Sequence, residues 1–425
     1  MVGSGGREHA LGWKLAQSPL LEKIYFAPGN AGTSSLGENI DIGSLDIKGL
    51  AKFAKTRAVD LTIVGPDDSL AEGIVDYFQA HRLKILGPTK AAARLESSKA
   101  FAKNLMVKNN VPTAAFKYFT SYKQAHQYLQ SAPLPTVIKA SGLALGKGVF
   151  ICRTRQQAEE ALRTLMIDRQ FGSAGDEVVI EEYLAGEEIS AHAICDGNNF
   201  LAFPPSQDYK QIYDDDRGPN TGGMGALVPL PSTDPGLMDQ VANLTIKPII
   251  MAMNKVGYPF RGCLYPGLIQ VKDQLNVLEY NARFGDPETQ VYMRLLNTDL
   301  LSVFESCIDG NLDSVQLKWR PGFAVCIVLA SGGYPGKYQT DKSITGVSQA
   351  EKGPGIIIFH AGTVVKEGQL YSAGGRVLNV TAVGHTLKLA LTRAYKAVTK
   401  IKFEGMQYRS DIGYRALSRG SQTYV

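Results

Sequence analysis

The chain has 425 residues, more than one hydrophobic core usually holds, so we expect two to four domains. Hydrophobic residues make up 44% and charged residues 20%, an ordinary composition for a globular protein. The sequence contains no run of about 18 apolar residues, so we expect no membrane span. The formal net charge of +5 is spread along the chain, which favours anionic small molecules rather than nucleic acid as partners. Five scattered cysteines without a C-x-x-C pair argue against disulfides or a zinc site and fit the cytoplasm.

Alternating strand and helix patterns in residues 1–98 predict a parallel-sheet amino-terminal domain of the α/β class. Predicted strands at 23–27, 60–64 and 84–86 alternate with predicted helices at 11–17, 49–55 and 74–81. A glycine-rich segment at 3–9 precedes the first helix, and free amides at a helix N-terminus bind anions. His9 stands where a dinucleotide fingerprint carries Gly or Ala. An anion site, a dinucleotide site and an ordinary surface histidine therefore all stay open.

The next part of the chain predicts a small sheet with a phosphate-binding turn. A helix at 99–109, capped by Ser97 or Ser98, is followed by strands at 136–140, 149–153 and 178–184 and a helix at 156–166. Lys139 ends the first of these strands, and the glycine turn at 141–148 carries Lys147. Glycine-turn amides and lysine ammonium groups bind phosphate oxygens, although the spacing is not that of a Walker A loop. A solvated hairpin tip is the alternative.

Acidic residues at 181–188 follow the last of these strands. Exposed backbone at a strand end can bind an adenine edge and a nearby acid can bind ribose hydroxyls, whereas the alternative is an acidic turn. Residues 206–225 predict a long functional loop, and a long helix is predicted near 237–256. The block from 323 onward is rich in strands, with one predicted helix at 387–399.

The most informative pattern is the run from Glu279 to Arg283. Residues two apart on a strand share a face, so Glu279, Asn281 and Arg283 are predicted to point the same way. A carboxylate beside an amide oxygen suits Mg²⁺, and an arginine supplies a fork of donors for phosphoryl oxygens. Asp286 and Pro287 are predicted as N-cap and first residue of the following helix. The alternative is a solvated strand face that carries an ion pair.

Together these motifs resemble the phosphoribosylamine–glycine ligase (glycinamide ribonucleotide synthetase) family of the ATP-grasp superfamily, over essentially the whole chain. The matching strings are GSGGREH at 3–9, APGNAG at 27–32, GPNTGGMG at 218–225, RFGDPETQ at 283–290, HAGT at 360–363, GGRV at 374–377 and YRSDIG at 408–413. The resemblance implies an amino-terminal domain at 1–98, an ATP-grasp α+β module at 99–322 and a strand-rich carboxyl-terminal domain at 323–425. It also implies a small lid subdomain at about 121–187.

The implied reaction joins glycine to 5-phosphoribosylamine with ATP, through glycyl phosphate, giving glycinamide ribonucleotide, ADP and phosphate in de novo purine (IMP) biosynthesis. The implied cofactors are ATP and Mg²⁺ or Mn²⁺, the metal ligands Glu279 and Asn281, and the catalytic residues Arg283, Lys139 and Asp208. The implied ATP contacts are Lys99, Lys139, Lys147, Gly148, Glu181, Tyr183, Leu184 and Glu188. The implied substrate contacts are Gly5, Gly6, Arg7, Glu8, Asn220, Thr221 and Gly222. We expect a monomer or weak homo-oligomer.

Two departures from the family pattern stand out. Only Met1 and Val2 precede the first glycine loop, where family members carry several apolar residues. The family's Asp-His-Lys-Arg run appears as Asp208, Tyr209, Lys210 and Gln211, which removes a histidine and an arginine near the implied substrate site. A nicotinamide-dependent oxidoreductase and a non-catalytic nucleotide-binding subunit are the rival hypotheses.

Overall fold

The computed structural model describes residues 1–144, 146–231 and 236–420 of the chain. It confirms the predicted fold class, an α/β protein with a parallel amino-terminal sheet, a central α+β part and a strand-rich carboxyl-terminal part. In the described ranges, no helix is both long enough and apolar enough to cross a membrane. Leu145, in the predicted phosphate-binding turn, lies outside the described residues.

The amino-terminal part is a parallel sheet flanked by helices. Its strands are β1 (Val2–Gly3), β2 (Tyr25–Pro28), β3 (Glu38–Asn39), β4 (Thr62–Ile63) and β5 (Ile85–Leu86). Its helices are α1 (Gly6–Leu15), α2 (Ile47–Thr56), α3 (Asp67–Ala71), α4 (Ile74–Ala80) and α5 (Lys90–Ser97). β1 pairs with β2 and, through a parallel bridge from Val2 to Val64, with the end of β4. The short β1 therefore lies at the centre of the sheet, and α1 starts at its carboxyl end, where ligands bind in such sheets.

The small sheet comes next and is antiparallel. This part of the chain contains α6 (Lys99–Lys108), β6 (Phe116–Phe119), α7 (Tyr122–Leu129), β7 (Thr136–Ala140), β8 (Val149–Cys152), α8 (Arg155–Met166) and β9 (Val178–Glu182). The strand order of its sheet is β6-β9-β7-β8. The Ser98 hydroxyl accepts from the Phe101 amide and caps α6, as predicted. One face of α8, built on Ala158, Leu162 and Leu165, packs on this sheet, and the helical spacing of its apolar residues predicted that face.

The central part adds a second antiparallel sheet, further short strands and four α-helices. Its strands are β10 (Glu187–Ser190), β11 (Ala193–Asp196), β12 (Phe200–Ala202), β13 (Gln207–Asp208), β14 (Gln211–Tyr213), β15 (Arg217–Asn220), β16 (Gly225–Val228), β17 (Arg261–Val271) and β18 (Gln274–Asn281). Its helices are α9 (Leu237–Gln240), α10 (Lys247–Lys255), α11 (Glu288–Leu295) and α12 (Leu300–Asp309). A π-helical segment, Val241–Ile246, joins α9 to α10, so the long helix predicted at 237–256 is confirmed.

The carboxyl-terminal part contains β19 (Phe323–Ala330), α13 (Val347–Glu351), β20 (Ile356–His360), β21 (Thr363–Lys366), β22 (Gln369–Ser372), β23 (Arg376–Gly384), α14 (Leu387–Val398) and α15 (Tyr414–Gly420). Its main sheet has the order β13-β16-β19-β23-β20, so two strands from the central part complete it. The single predicted helix is α14, and the prediction missed the short α13 and α15. Their five and seven residues give too few apolar positions for a periodic signal.

The prediction of a long loop at 206–225 is wrong. This stretch contains β13 and the hairpin of β14 and β15 before it enters β16. Ile212 and Met224 are buried against Ala330, and this small core holds the stretch in place. The strands are two to four residues long and mostly polar, so they lack the apolar alternation that identifies a strand in sequence.

One hydrophobic cluster connects the three parts of the chain. It includes Leu11 of α1, Phe284 and Tyr292 around α11, and Phe359 of β20, each at most 4% exposed. Apolar burial stabilises by about 25 cal/mol per Å². The shared core therefore fixes the three parts against one another and keeps their facing loops at one junction.

Candidate active site

A cavity of about 490 Å³ lies at the junction of the three parts and is called the inner cavity. It is lined from the amino-terminal part by Arg7 and Asp67, from the central part by Lys139 and Glu279, and from the carboxyl-terminal part by Arg376. A larger space of about 1400 Å³, the outer cleft, adjoins it along β8, the connection after β9, and β10. Lysines and arginines from distant parts of the sequence thus face one enclosed volume, as an anionic ligand requires.

The structure brings together all but three of the site residues that the family resemblance implies. The lining of the inner cavity includes Arg7, Lys99, Lys139, Lys147, Gly148, Glu181, Tyr183, Leu184, Glu188, Asp208, Asn220, Thr221, Gly222, Glu279, Asn281 and Arg283. Gly5, Gly6 and Glu8 are absent from this lining. The convergence supports a common site, while the role of each residue stays a prediction.

Gly5, Gly6 and Glu8 shape the start of α1. The Gly5 amide donates to Glu8 Oε2 at 2.5 Å, and Glu8 Oε1 pairs with Arg7 Nε at 2.7 Å. A Cβ atom on Gly6 would lie 2.3 Å from Asn379 Nδ2, so only glycine fits there. These residues hold Arg7 at the cavity wall.

Asp286 belongs to this arrangement and does not cap its own helix. Its Oδ2 accepts from the Arg7 amide at 3.2 Å, and its Oδ1 accepts from Gln290 Nε2 at 2.8 Å and lies 3.3 Å from Arg376 Nη1. Pro287 is the N-cap of α11, so the predicted cap is wrong. The Asp286 carboxylate interacts with Arg7 and Arg376 on the two other domains. Contacts with residues so distant in the sequence cannot be predicted from the local pattern.

Glu279 and Asn281 share a face, as predicted. The Asn281 Oδ1 atom accepts from Arg283 Nη2 at 3.2 Å, while its Nδ2 donates to the Tyr265 carbonyl. Burial raises the pKa of the Glu279 carboxyl, but the charges of Lys210 and Lys99 outweigh this effect and hold the pKa below its usual value. Glu279 therefore stays ionised at neutral pH.

The donor set fits a hard cation that takes most of its ligands from elsewhere. One carboxylate and one amide oxygen face the inner cavity, and oxygen ligands are those that Mg²⁺ and Mn²⁺ prefer. Within residues 1–144, 146–231 and 236–420, no group of three or more His, Cys, Asp or Glu side chains could hold a metal alone. The pair therefore suits an ion that also binds nucleotide phosphates and water.

Arg283 is more tightly held than the sequence indicated. Its Nη2 lies 3.1 Å from Glu96 Oε1, and Glu96 also accepts from the Ala282 amide at 2.7 Å. Burial raises the pKa of Glu96 to about 7, against the lowering effect of the Arg283 charge. The buried Nε–H of Arg283 has no partner among the described residues, so one donor stays available.

Lys139 belongs to a buried ionic triad that the sequence did not show. Its ammonium group pairs with Glu181 Oε1, and the Lys103 ammonium lies 2.6 Å from Glu181 Oε2. All three side chains are at most 6% exposed. Burial raises the pKa of Glu181, but Lys139 and Lys103 outweigh it and keep the carboxyl ionised. Lys103 lies four residues after Lys99 on α6, and this helical spacing was the available signal.

Asp208 heads a second buried polar chain. Its Oδ1 accepts from the Ser190 hydroxyl at 2.9 Å, and the Ser190 and Tyr265 hydroxyls are 3.1 Å apart. Burial raises the pKa of Asp208 to about 7. Lys210 Nζ, two residues along the chain, lies 3.1 Å from Glu188 Oε2. Sequence reasoning assigned no role to Ser190, Lys210 or Tyr265.

Tyr209, directly after β13, borders the outer cleft, but most of its side chain lies in the core. Its side chain is 6% exposed and packs in the carboxyl-terminal cluster. The hydroxyl donates to Gln207 Oε1 at 3.2 Å and accepts from the Gly413 amide at 2.9 Å. Its ring also stacks against the Arg409 guanidinium. Here the departure from the family pattern is absorbed by packing.

Comparison with solved structures first places the fold. A biotin carboxylase domain from Hydrogenobacter thermophilus has a TM-score of 0.73 at 15% identity, covering 96% of this chain and 90% of that one. Residues 97–289 match the ATP-grasp (A) domain of phosphoribosylglycinamide synthetase, residues 1–96 its N domain and residues 324–415 its C domain. The fold and the matched domains define an ATP-dependent ligase of the ATP-grasp class.

Full-length relatives then give the family. Phosphoribosylamine–glycine ligase of Vibrio vulnificus is 48% identical over 99% of both chains, and that of Caldanaerobacter subterraneus is 46% identical over 97% of this chain and 98% of its own. The crystal structure of the Thermotoga maritima phosphoribosylamine–glycine ligase has a TM-score of 0.81 at 36% identity and covers 96% of this chain and 98% of its own. The chain belongs to the phosphoribosylglycinamide synthetase family, which leaves the oxidoreductase hypothesis without support.

The raised pKa of Asp208 predicts a pH dependence of stability that Asp208→Asn removes. Its folded-state value of about 7 lies above the ordinary value of 3.8, so the folded protein holds a proton that the unfolded chain releases between these values. The stability from this proton is full below the unfolded pKa and is lost as pH rises through about 7. Between about pH 5.5 and about pH 8 the loss from this group is roughly 2 kcal/mol.

Urea unfolding of the wild type and the variant at these two pH values measures the effect. We expect the free energy of unfolding of Asp208→Asn to fall less with rising pH, by about that amount. Asp239→Asn, at an exposed position on α9, is the control and should retain the wild-type dependence. Identical pH dependence in all three proteins would contradict an Asp208 that holds a proton near neutral pH.

Proposed function

We propose that this site joins glycine to 5-phosphoribosylamine with ATP and releases glycinamide ribonucleotide, ADP and phosphate. The main support is the inner cavity, where cationic groups from all three family domains face the Glu279 carboxylate and the Asn281 amide. Full-length relatives named phosphoribosylamine–glycine ligase support the choice of substrates. The reaction belongs to de novo purine biosynthesis.

Chemistry requires that the glycine carboxylate be activated first. A carboxylate has no group that an amine can displace at neutral pH. An oxygen of the glycine carboxylate attacks the γ-phosphorus of ATP, the bond to ADP breaks, and glycyl phosphate forms. The amine of 5-phosphoribosylamine then attacks the carbonyl carbon, phosphate leaves with the bridging oxygen, and the nitrogen loses one proton. Catalysis of such phosphoryl transfer rests on positioning and on charge neutralisation.

ATP occupies the outer cleft in this proposal and reaches into the inner cavity with its phosphates. Lys99, Lys139, Lys147 and the Gly148 amide contact the phosphates. Tyr183 and Leu184 frame the adenine, and Glu188 binds the ribose. Glu181 contributes through the lysines that it holds at the wall. Both spaces share Lys147, Tyr183, Leu184 and Glu188, so one nucleotide can span them.

The substrates lie in the inner cavity in this proposal, beside the nucleotide phosphates. Arg7 and the segment Asn220, Thr221 and Gly222 contact the phosphoribosylamine, while Gly5, Gly6 and Glu8 hold Arg7 in place. Arg283 stabilises the phosphoryl group in transfer. Asp208, with a pKa of about 7, accepts the proton that the attacking amine loses.

Glu279 and Asn281 would hold Mg²⁺ or Mn²⁺ in this account. When bound, the ion neutralises charge on the nucleotide phosphates. The cytoplasm is the expected location, with neither nucleic acid nor membrane as a partner, and the expected state is a monomer or weak homo-oligomer.

The function is tested by phosphate release with each substrate omitted in turn. Purified protein should release phosphate rapidly only when ATP, glycine and freshly formed 5-phosphoribosylamine are present together, because the anhydride forms only from bound glycine. Glycinamide ribonucleotide should appear in equal amount, measured by chromatography. Phosphate release at the same steady rate with and without glycine would contradict the proposal.

Glu279→Gln should lower turnover by at least about a hundredfold, the loss typical when a charge-stabilising group of an active site is removed. The substitution keeps the size of the side chain and removes the charge. Binding of Mn²⁺ in the presence of a non-hydrolysable ATP analogue, followed by electron paramagnetic resonance, should weaken in parallel.

The matched control is Glu305→Gln, at an exposed position on α12. It should leave turnover and Mn²⁺ binding at wild-type values. If Glu279→Gln binds Mn²⁺ as tightly as the wild type does, the assignment of this residue as a metal ligand is wrong.

A further inference from the structure

A loop of the carboxyl-terminal part, residues 331–338, contacts the predicted lid. The Lys147 Nζ atom, in the 141–148 turn, donates to the Pro335 carbonyl at 2.8 Å. The same turn also approaches the 218–225 segment, since a Cβ atom on Gly146 would lie 3.4 Å from the Thr221 carbonyl oxygen. The turn, the loop and the segment therefore meet at one edge of the inner cavity.

Tyr334, the neighbour of Pro335, holds the 218–225 segment. Its hydroxyl accepts a hydrogen bond from the Gly222 amide at 3.0 Å. Arg376 Nη1 donates to the Gly222 carbonyl at 2.6 Å, so Gly222 is held through both its N–H and its C=O. Gly223 follows with a φ of +113°, a conformation that favours glycine. The backbone at Gly222 thus has one defined position while the Tyr334 hydroxyl is in place.

The loop also has anchors within the carboxyl-terminal part, besides its contact with Lys147. Gln407 Nε2 donates to the Ser331 and Tyr334 carbonyls at 3.0 and 2.8 Å, and the Ser331 hydroxyl donates to the Gly374 carbonyl. The Tyr334 ring lies against Gly375, where a Cβ atom would come within 2.3 Å of it. The loop therefore contacts the 141–148 turn through Pro335 and the 218–225 segment through Tyr334, so a change at one contact can alter the other.

We propose that Tyr334 is a positioning residue that couples closure of the lid over the nucleotide to the shape of the phosphoribosyl site. Lid closure brings Lys147 onto the Pro335 carbonyl and fixes the loop, and the adjacent Tyr334 hydroxyl then fixes the Gly222 amide. This inference rests on the proposed function, which places the nucleotide under the lid and the ribosyl substrate against the 218–225 segment. Coupling of this kind is reciprocal, so each ligand should tighten the other.

The test measures a ratio of affinities. Calorimetry gives the Kd of the stable product, glycinamide ribonucleotide, with and without the magnesium complex of a non-hydrolysable ATP analogue. For the wild type we expect the analogue to tighten product binding at least about fivefold. In Tyr334→Phe the ratio should fall close to one, while the Kd of the analogue alone changes less than about twofold because Tyr334 is not one of the proposed nucleotide contacts.

A second variant separates coupling from general damage. Lys147→Met removes the donor to Pro335 and should also abolish the ratio, although it weakens the analogue by itself. In the double variant the ratio should be no lower than in either single variant, because both changes break one link. Tyr258→Phe, on the exposed surface after α10, should keep the wild-type ratio.

The possible results show whether the coupling through Tyr334 or the proposed function itself has failed. A wild-type ratio that Tyr334→Phe leaves unchanged overturns the coupling and spares the proposed function. Equal losses for product and analogue in Tyr334→Phe also overturn it, because they indicate a merely structural role. Absence of product binding to the wild type overturns both.

Discussion

The carboxylate of Asp286 is the contact on which the site depends. It accepts from the amide of Arg7 in the amino-terminal part and pairs with Arg376 in the carboxyl-terminal part, while Asp286 itself directly precedes the N-cap of α11 in the central part. Burial raises its pKa, but Arg376 and Arg7 outweigh that effect and keep it charged. A buried charge that loses one partner costs about 3–5 kcal/mol. The three parts are therefore held together at the point where their functional side chains meet.

The cations around the cavity are positioned by buried acids in the same way. Glu181 holds Lys103 and Lys139, and Glu96 holds Arg283 beside Asn281. A lysine or arginine tethered at its charged end loses little further entropy when a phosphate arrives, so the site is preorganised for anions. The raised pKa of Glu96, about 7, shows that burial is only partly offset by its partner. Neutralising these acids would free the cations and disorder the wall.

Sequence reasoning succeeded where chemistry is local and failed where it depends on distant partners. The alternation at Glu279 and Asn281 correctly predicted that both line one cavity, and of the two serines predicted as caps, Ser98 starts α6. Lys103, on α6, was not predicted to take part because its partner Glu181 is 78 positions later in the chain, on strand β9. The Asp286 cap was wrong because its partners lie on other domains. The hairpin in 206–225 was missed because it is stabilised by a few buried contacts rather than by apolar alternation.

The central claim is that the site activates the carboxylate of glycine by phosphoryl transfer. Glycine labelled with ¹⁸O in its carboxylate tests this directly, with mass spectrometry of the phosphate released during a complete turnover. A glycyl phosphate intermediate predicts one labelled oxygen in each phosphate, because its bridging oxygen leaves with phosphorus. Phosphate free of label would contradict it and would indicate that ATP reacts with the amine substrate or with water instead.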